Sequence, residues 1–274
     1  MSDFLATMAA SSRQRADAVV GSLGESKLRA QARAAAPPRQ LRLSAAGFDL
    51  IAEPKLASPS AGELVPHADG REAVLAVATS LEQSGCAALS VLTEPTVFGG
   101  AIDHLQAAAA AVDLPVMRKD FLVDPIQVIE ARAAGASGVL LIARILDTSL
   151  LVEMTDLALT MGMFALVEVF DQGDLEAAGA VFDRDVLVGV NARDLATLEV
   201  DRGRHAEMAR LLPGHLPAVA ESGIVSPDDA AAAAAAGYRV ALVGTAVVTS
   251  EDPAGAVSRF IAAGRSVVSA RSAR

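Results

Sequence analysis

Eight short runs of consecutive apolar, often β-branched residues recur along the chain. They are 49–55 (DLIAEPK), 87–93 (AALSVLT), 115–120 (PVMRKD), 138–145 (GVLLIARI), 163–169 (MFALVEV), 186–192 (VLVGVNA), 217–223 (PAVAESG) and 240–246 (VALVGTA). A strand with one wet face alternates apolar and polar positions. Continuous hydrophobicity marks strands covered on both faces, as in a parallel sheet. Between the runs lie Ala-rich segments of helical spacing, at 71–84, 125–134, 174–180 and 227–236. Asp124-Pro125 and Ser226-Pro227-Asp228-Asp229 read as helix starts, and Gly85, Gly135 and Gly237 read as helix ends. Eight strand–helix units in roughly 230 residues fit a (β/α)8 barrel of the TIM type. An open doubly wound sheet would want a Gly-rich turn after its first strand, and Glu53-Pro54-Lys55-Leu56-Ala57-Ser58 is nothing like one. This reading makes 1–48 a helical extension packed on the barrel near its mouth, with an apolar stripe of Phe4, Leu5, Met8, Ala9, Ala16 and Val19. It makes 49–264 the barrel and 265–274 a frayed, solvated tail.

Composition narrows the class. The 274 residues are 52% hydrophobic, and 33 acidic against 23 basic side chains give a net charge of −10. That balance argues against nucleic acid as a partner, because phosphate backbones need a basic face. A lone cysteine, Cys86, precludes an internal disulfide and reads as a buried thiol in a helix, fitting a reducing, cytoplasmic setting. No basic, apolar leader opens the sequence, and the most apolar stretch, 230–248, is broken by Gly237, Tyr238 and Arg239, so no membrane association is expected. Of the 23 basic residues only Lys27, Lys55 and Lys119 are lysines. Where Arg supplies nearly all the ordinary charge, a Lys is worth locating, since it can give up a proton and Arg cannot.

In a barrel of this kind the chemistry sits at the C-terminal ends of the strands. Glu53 and Lys55 end the first strand and Arg118-Lys119-Asp120 the third. Glu168 lies in the fifth, Asn191 and Arg193 end the sixth, and Glu221-Ser222-Gly223 the seventh. A charge inside such a strand is costly unless paired, so glutamates, lysines, Asn and Arg converging on one mouth point to acid–base work. Glu53 with Lys55 also reads as a purely structural ion pair. Arg118 and Asp120 are expected to face a helix, leaving Lys119 to the lumen. After the last two strands, Gly223 and Gly244-Thr245 offer backbone amides where such barrels commonly hold phosphate, ahead of a short helix expected at 250–253. His67, His104, His205 and His215 fall away from strand ends without ligand spacing, so no metal is expected.

The segments IAEPKLASPSAG (51–62), LSVLTEPTVFGG (89–100), LPVMRKDFLVDPIQVIEARAAGASGVLLI (114–142), LVEVFD (166–171), VGVNARDL (188–195), VAESGI (219–224) and LVGTAVV (242–248) closely resemble the indole-3-glycerol phosphate synthase family, in order across all eight strands. The resemblance implies a cofactor-free reaction on 1-(o-carboxyphenylamino)-1-deoxyribulose 5-phosphate, giving indole-3-glycerol phosphate, CO2 and water in tryptophan biosynthesis. By similarity Lys119 is the general acid on the ketone oxygen and Glu168 the acid–base of the dehydration. Glu53, Asn191 and Glu221 position the substrate and tune charge. Lys55 meets substrate anions, Ser58 and Arg193 hold the carboxylate end, Phe98 and Phe121 flank the aromatic ring, and Ser222, Gly223, Gly244 and Thr245 hold the phosphate. The phosphorylated small molecule is the expected partner, for a monomer or weak homo-oligomer. The chain departs from the family at Pro54, expected to distort the first strand, at Leu56, at Ala192 and at Thr245-Ala246-Val247. Those departures keep open a paralogue acting on a substituted analogue, or a non-catalytic phosphate-binding barrel. A phosphosugar isomerase or a Schiff-base aldolase is the competing enzyme class.

Overall fold

The computed structural model describes residues 3–55, 57–58, 62–63, 69–194 and 197–272. Eight parallel strands, β1 (Asp49–Ala52), β2 (Ala88–Leu92), β3 (Val116–Lys119), β4 (Gly138–Ile142), β5 (Phe164–Val169), β6 (Leu187–Asn191), β7 (Ala218–Glu221) and β8 (Val240–Val243), close into a barrel. Closure is made by β1 pairing with both β2 and β8. Outward residues such as Leu50, Leu89, Val91, Leu141, Val167, Val190 and Val243 pack against the surrounding helices. Inward residues, Ile51, Met117, Leu140, Leu166, Leu187, Val219 and Leu242 among them, fill the lumen. Both faces are buried, which is why the strands read as unbroken apolar runs. Gly138 leaves room in the lumen for the ring of Phe164, which any Cβ there would strike.

Helices cover the barrel: α1 (Asp3–Leu23), α2 (Glu25–Ala34), α3 (Gly70–Leu81), α4 (Ile102–Ala111), α5 (Pro125–Ala133), α6 (Thr148–Thr160), α7 (Gln172–Ala178), α8 (Arg204–Met208), α9 (Pro227–Ala236), α10 (Thr245–Val248) and α11 (Pro253–Ser272). Asp124 and Ser226 each form a capping box with the residue three positions on, satisfying helix-start amides that otherwise lack partners. Gly85, Gly135 and Gly237 carry φ of 87°, 91° and 109°, as expected of residues that turn the chain out of a helix. Ala16, Leu28 and Ala32 of α1 and α2 pack on Ile126 and Ile129 of α5, while Leu5 and Met8 join the lumen cluster near Phe121.

Several expectations need correction. The first strand ends at Ala52, so Pro54 lies beyond the ladder and removes no strand donor; the Glu53 amide still bonds the Val243 carbonyl at 2.9 Å. The fourth strand stops at Ile142 and a 3-10 turn takes 143–145. The short helix after the eighth strand starts at Thr245, directly behind Gly244, and the chain at 250–253 leads instead into α11. That helix runs to Ser272, through most of the expected frayed tail at 265–274. Arg265 ties it down, donating to the Phe48 carbonyl at 2.9 Å and to the Asp49 carboxylate at 2.8 Å. Cys86 is buried, but in the connection between α3 and β2 rather than in a helix. Among the described residues, no helix is long and apolar enough to cross a membrane, and no cluster of His, Cys, Asp or Glu has the makings of a metal site. Leu56 and His67 lie outside the described residues.

Candidate active site

The C-terminal strand ends enclose a cleft of about 150 Å³ that opens to solvent. Every residue nominated from sequence lines it except Ser58, whose side chain lies outside the described residues. The strand periodicity explains the convergence. On β5, Leu166 and Glu168 share the inward face, as do Met117 and Lys119 on β3, so each apolar lumen residue is followed two positions later by a charge at the rim.

At the floor stands Lys119. Its Nζ lies 3.6 Å from Glu168 Oε2 and 3.8 Å from Glu221 Oε2. Beside it Lys55 Nζ lies 3.1 Å from Glu53 Oε1, so the pair foreseen as structural does form, on the cleft wall. Burial pulls the Lys119 pKa down, but the charges of Glu168, Glu221 and Glu53 outweigh it and hold the ammonium above the ordinary lysine value. Burial, reinforced by Glu168, raises the Glu221 carboxyl well above the ordinary carboxylate range, against the opposing pull of Lys119. Both Glu221 oxygens, Glu168 Oε2 and Glu53 Oε2 are buried without a hydrogen-bond partner among the described residues. Buried acceptors are rarely left so, and four around one ammonium make a site built to receive something else.

Two glycines permit this crowding. A Cβ at Gly189 would strike Glu221 Oε1, and one at Gly244 would stand 2.6 Å from Glu53 Oε1 and 3.0 Å from Lys55 Nζ. Asn191 Oδ1 accepts from the Arg193 amide at 2.9 Å, and Arg193 Nη1 donates to the Leu198 carbonyl at 2.7 Å, fixing both side chains at the edge of β6. Across the mouth Phe98 and Phe121 stand 6.2 Å apart with planes 38° from parallel. At the end of β7, Ser222 and Gly223 are both left-handed, with φ of 61° and 72°. For Ser222 that conformation costs about 1–2 kcal/mol, and strain of this kind collects at working sites.

Arg118 and Asp120 turn outward as expected. Arg118 donates to the Gln127 carbonyl at 2.9 Å and Glu130 at 2.7 Å, and meets Asp120 at 3.3 Å. His205 belongs nearer the site than sequence suggested. It lies on α8, but its Nε2 sits 3.1 Å from the Glu221 carbonyl and 3.3 Å from that of Val190, bridging the ends of β6 and β7 from behind. Glu94, Arg15 and Gly189 were also missed. Only Gly189 left a local signal, a glycine amid a buried strand.

The family model described as indole-3-glycerol phosphate synthase matches residues 5–260. An indole-3-glycerol phosphate synthase of Mycobacterium ulcerans is 45% identical over 244 residues, 88% of each chain, and one of a Nocardioides species is 47% identical over 226 residues, 82% of this chain and 85% of that one. Among solved structures, 3-hexulose-6-phosphate synthase of Salmonella typhimurium superposes with a TM-score of 0.64 at 13% identity, over 80% of this chain and all of the other, a likeness of fold alone. A family match running from α1 into α11, together with relatives about 45% identical over most of the chain, leaves one assignment: the chain belongs to the indole-3-glycerol phosphate synthase family.

Proposed function

We propose that the cleft closes the indole ring of 1-(o-carboxyphenylamino)-1-deoxyribulose 5-phosphate, with loss of CO2 and water, and that Lys119 carries the first proton. The observation behind this reading is the Lys119 ammonium set between Glu168 and Glu221 on the cleft floor. Ring closure needs the carbon bearing the carboxylate to attack the ketone carbon while the ketone oxygen takes a proton. The ammonium among these carboxylates stays protonated at neutral pH and faces the cleft, whereas the neighbouring Arg118 guanidinium is turned away to the Gln127 carbonyl and Glu130. Loss of CO2 then restores the aromatic ring with no proton leaving it. In the dehydration the new hydroxyl departs as water on a second proton, and Glu168 takes the hydrogen from the methylene carbon beside the nitrogen. The sum consumes one proton, because a carboxylate enters and neutral CO2 leaves.

The remaining roles follow from position. Glu53, Asn191 and Glu221 hold the reacting centre and balance its charge, and Lys55 faces the substrate's anionic groups. Arg193 with Ser58 takes the ring carboxylate, Phe98 and Phe121 flank the ring, and Ser222, Gly223, Gly244 and Thr245 take the phosphate at the ends of β7 and β8, where backbone amides are free of bulky side chains. Residues 49–264 form the catalytic unit in this reading and residues 1–48 an accessory extension. The protein works in the cytoplasm as a monomer or weak homo-oligomer. With purified protein and this substrate, CO2 and an indole chromophore should appear together in equal amounts. Borohydride added during turnover should trap no adduct on Lys119. An adduct there would instead mark a Schiff-base enzyme and overturn the reading.

A further inference from the structure

We propose that Arg15, on the N-terminal helix α1, is a positioning residue that sets the gap between Phe98 and Phe121. This rests on the reading that those two rings flank the aromatic end of the substrate. The chain of contacts is short. Arg15 Nη2 donates to Asp120 Oδ1 at 2.7 Å, and its Nη1 lies 3.9 Å from Glu94 Oε1 while donating to the Ser11 hydroxyl at 3.0 Å. Each carboxylate in turn holds the backbone of one phenylalanine. Asp120 Oδ1 accepts from the Phe121 amide at 2.8 Å, and Glu94 Oε2 accepts from the Phe98 amide at 3.1 Å and the Val97 amide at 2.8 Å. One guanidinium thus ties together the loops that follow β2 and β3.

Glu94 depends on this guanidinium more than Asp120 does. Both side chains are fully buried, while Arg15 is 24% exposed. Asp120 has a second cation, Arg118 at 3.3 Å, and a hydroxyl donor in Thr93 at 2.7 Å. Among the described residues Arg15 is the cation paired with Glu94, whose other partners are the amides of its own loop and the Thr96 hydroxyl. A buried carboxylate stripped of its counter-charge moves toward water or takes up a proton, and either change releases the amides it holds. The same helix touches the far ring directly, since Phe4 meets Phe121 edge-on with centroids 6.0 Å apart.

Steady-state kinetics of indole formation test the proposal, with inorganic phosphate as a competitive inhibitor reporting on the opposite end of the cleft. Arg15→Gln should raise KM about tenfold, roughly 1.4 kcal/mol of lost binding, lower kcat by less than that, and leave the phosphate inhibition constant within twofold. In a Phe98→Leu background the same substitution should cost less than threefold, because it acts through that ring. Arg13→Ala is the control: it removes the contacts of α1 with Asp124 and the Val123 carbonyl but neither of the two carboxylates, and should leave KM within twofold. If Arg15→Gln does not fold, Arg15→Lys, which reaches only one carboxylate at a time, should give an intermediate KM. An unchanged KM in the Arg15 variant, an equal rise in Arg13→Ala, or phosphate inhibition weakening in step with KM overturns the proposal. Failure of the underlying reading shows separately, as wild-type protein that makes no indole product.

Discussion

At the scale of single residues, the site is a contest between desolvation and charge, and Glu221 shows its sign. Its carboxyl is raised well above the ordinary value, first by burial and then by Glu168. Folding therefore takes up a proton there. From about pH 4.3, where an unfolded glutamate titrates, up through its folded value, this group makes stability fall as pH rises. Glu221→Gln should accordingly raise the melting temperature at pH 8, and the gain should shrink toward nothing near pH 4.5, while kcat drops at least tenfold; thermal melts across that range with parallel kinetics check both. Lys119 has the same sign in a different window. Its raised pKa contributes stability that is complete below about pH 10.4 and is lost only above, as pH rises through the folded value. Gly189→Ala should reproduce part of the Glu221 defect from the neighbouring strand, because the new methyl meets Glu221 Oε1 and lies 3.1 Å from Leu166 Cδ1. A loss of about 1–3 kcal/mol in denaturant unfolding, as for overpacked cores, with kcat reduced about tenfold, is the expected outcome.

At the scale of elements, sequence reading succeeds where the physics is local and fails where it is not. The strands were legible because both faces are buried, and the starts of α5 and α9 because Asp124 and Ser226 carry their caps in the sequence. The inward face of each strand end was legible too, since Glu168 and Lys119 sit two residues beyond buried Leu166 and Met117. What ends a strand was not. Pro54 read as an interruption of the first strand because nothing local says that the barrel ladder stops at Ala52. His205 read as remote because its bond to the Glu221 carbonyl joins residues sixteen apart through a fold not yet known. The turn after β7 offers a test at this scale. Gly223 has φ of 72°, and a Cβ on it would stand 3.0 Å from Val200 Cγ1. Gly223→Ala should weaken inorganic phosphate inhibition and raise KM about tenfold with little change in kcat, which the two inhibition constants measured side by side decide.

At the scale of the whole molecule, the N-terminal helices and the barrel share one purpose in this account. The extension packs on α5 through Ala16, Leu28 and Ala32, and reaches the rim through Phe4 and Arg15, 105 positions away in sequence from its partner Asp120. A contact over that distance leaves no trace in composition or periodicity, which is why the extension was legible as a packed helix but not as part of the site. The scarcity of lysine was legible from the start, and the structure separates the three: Lys27 is exposed on α2, Lys55 is paired with Glu53, and Lys119 stands at the centre of the carboxylates. The central claim is that this last lysine protonates the ketone on which the indole ring closes. The chain contains no tryptophan, so new indole fluorescence reports product without a tryptophan signal from the protein. The most direct measurement is indole formation from 1-(o-carboxyphenylamino)-1-deoxyribulose 5-phosphate by the wild type and by Lys119→Ala. The account predicts turnover in the wild type and a loss of at least about 10³-fold in the variant, with phosphate still binding to both. Turnover that survives Lys119→Ala within tenfold, or a wild-type protein that binds the substrate and leaves it unchanged, would contradict it.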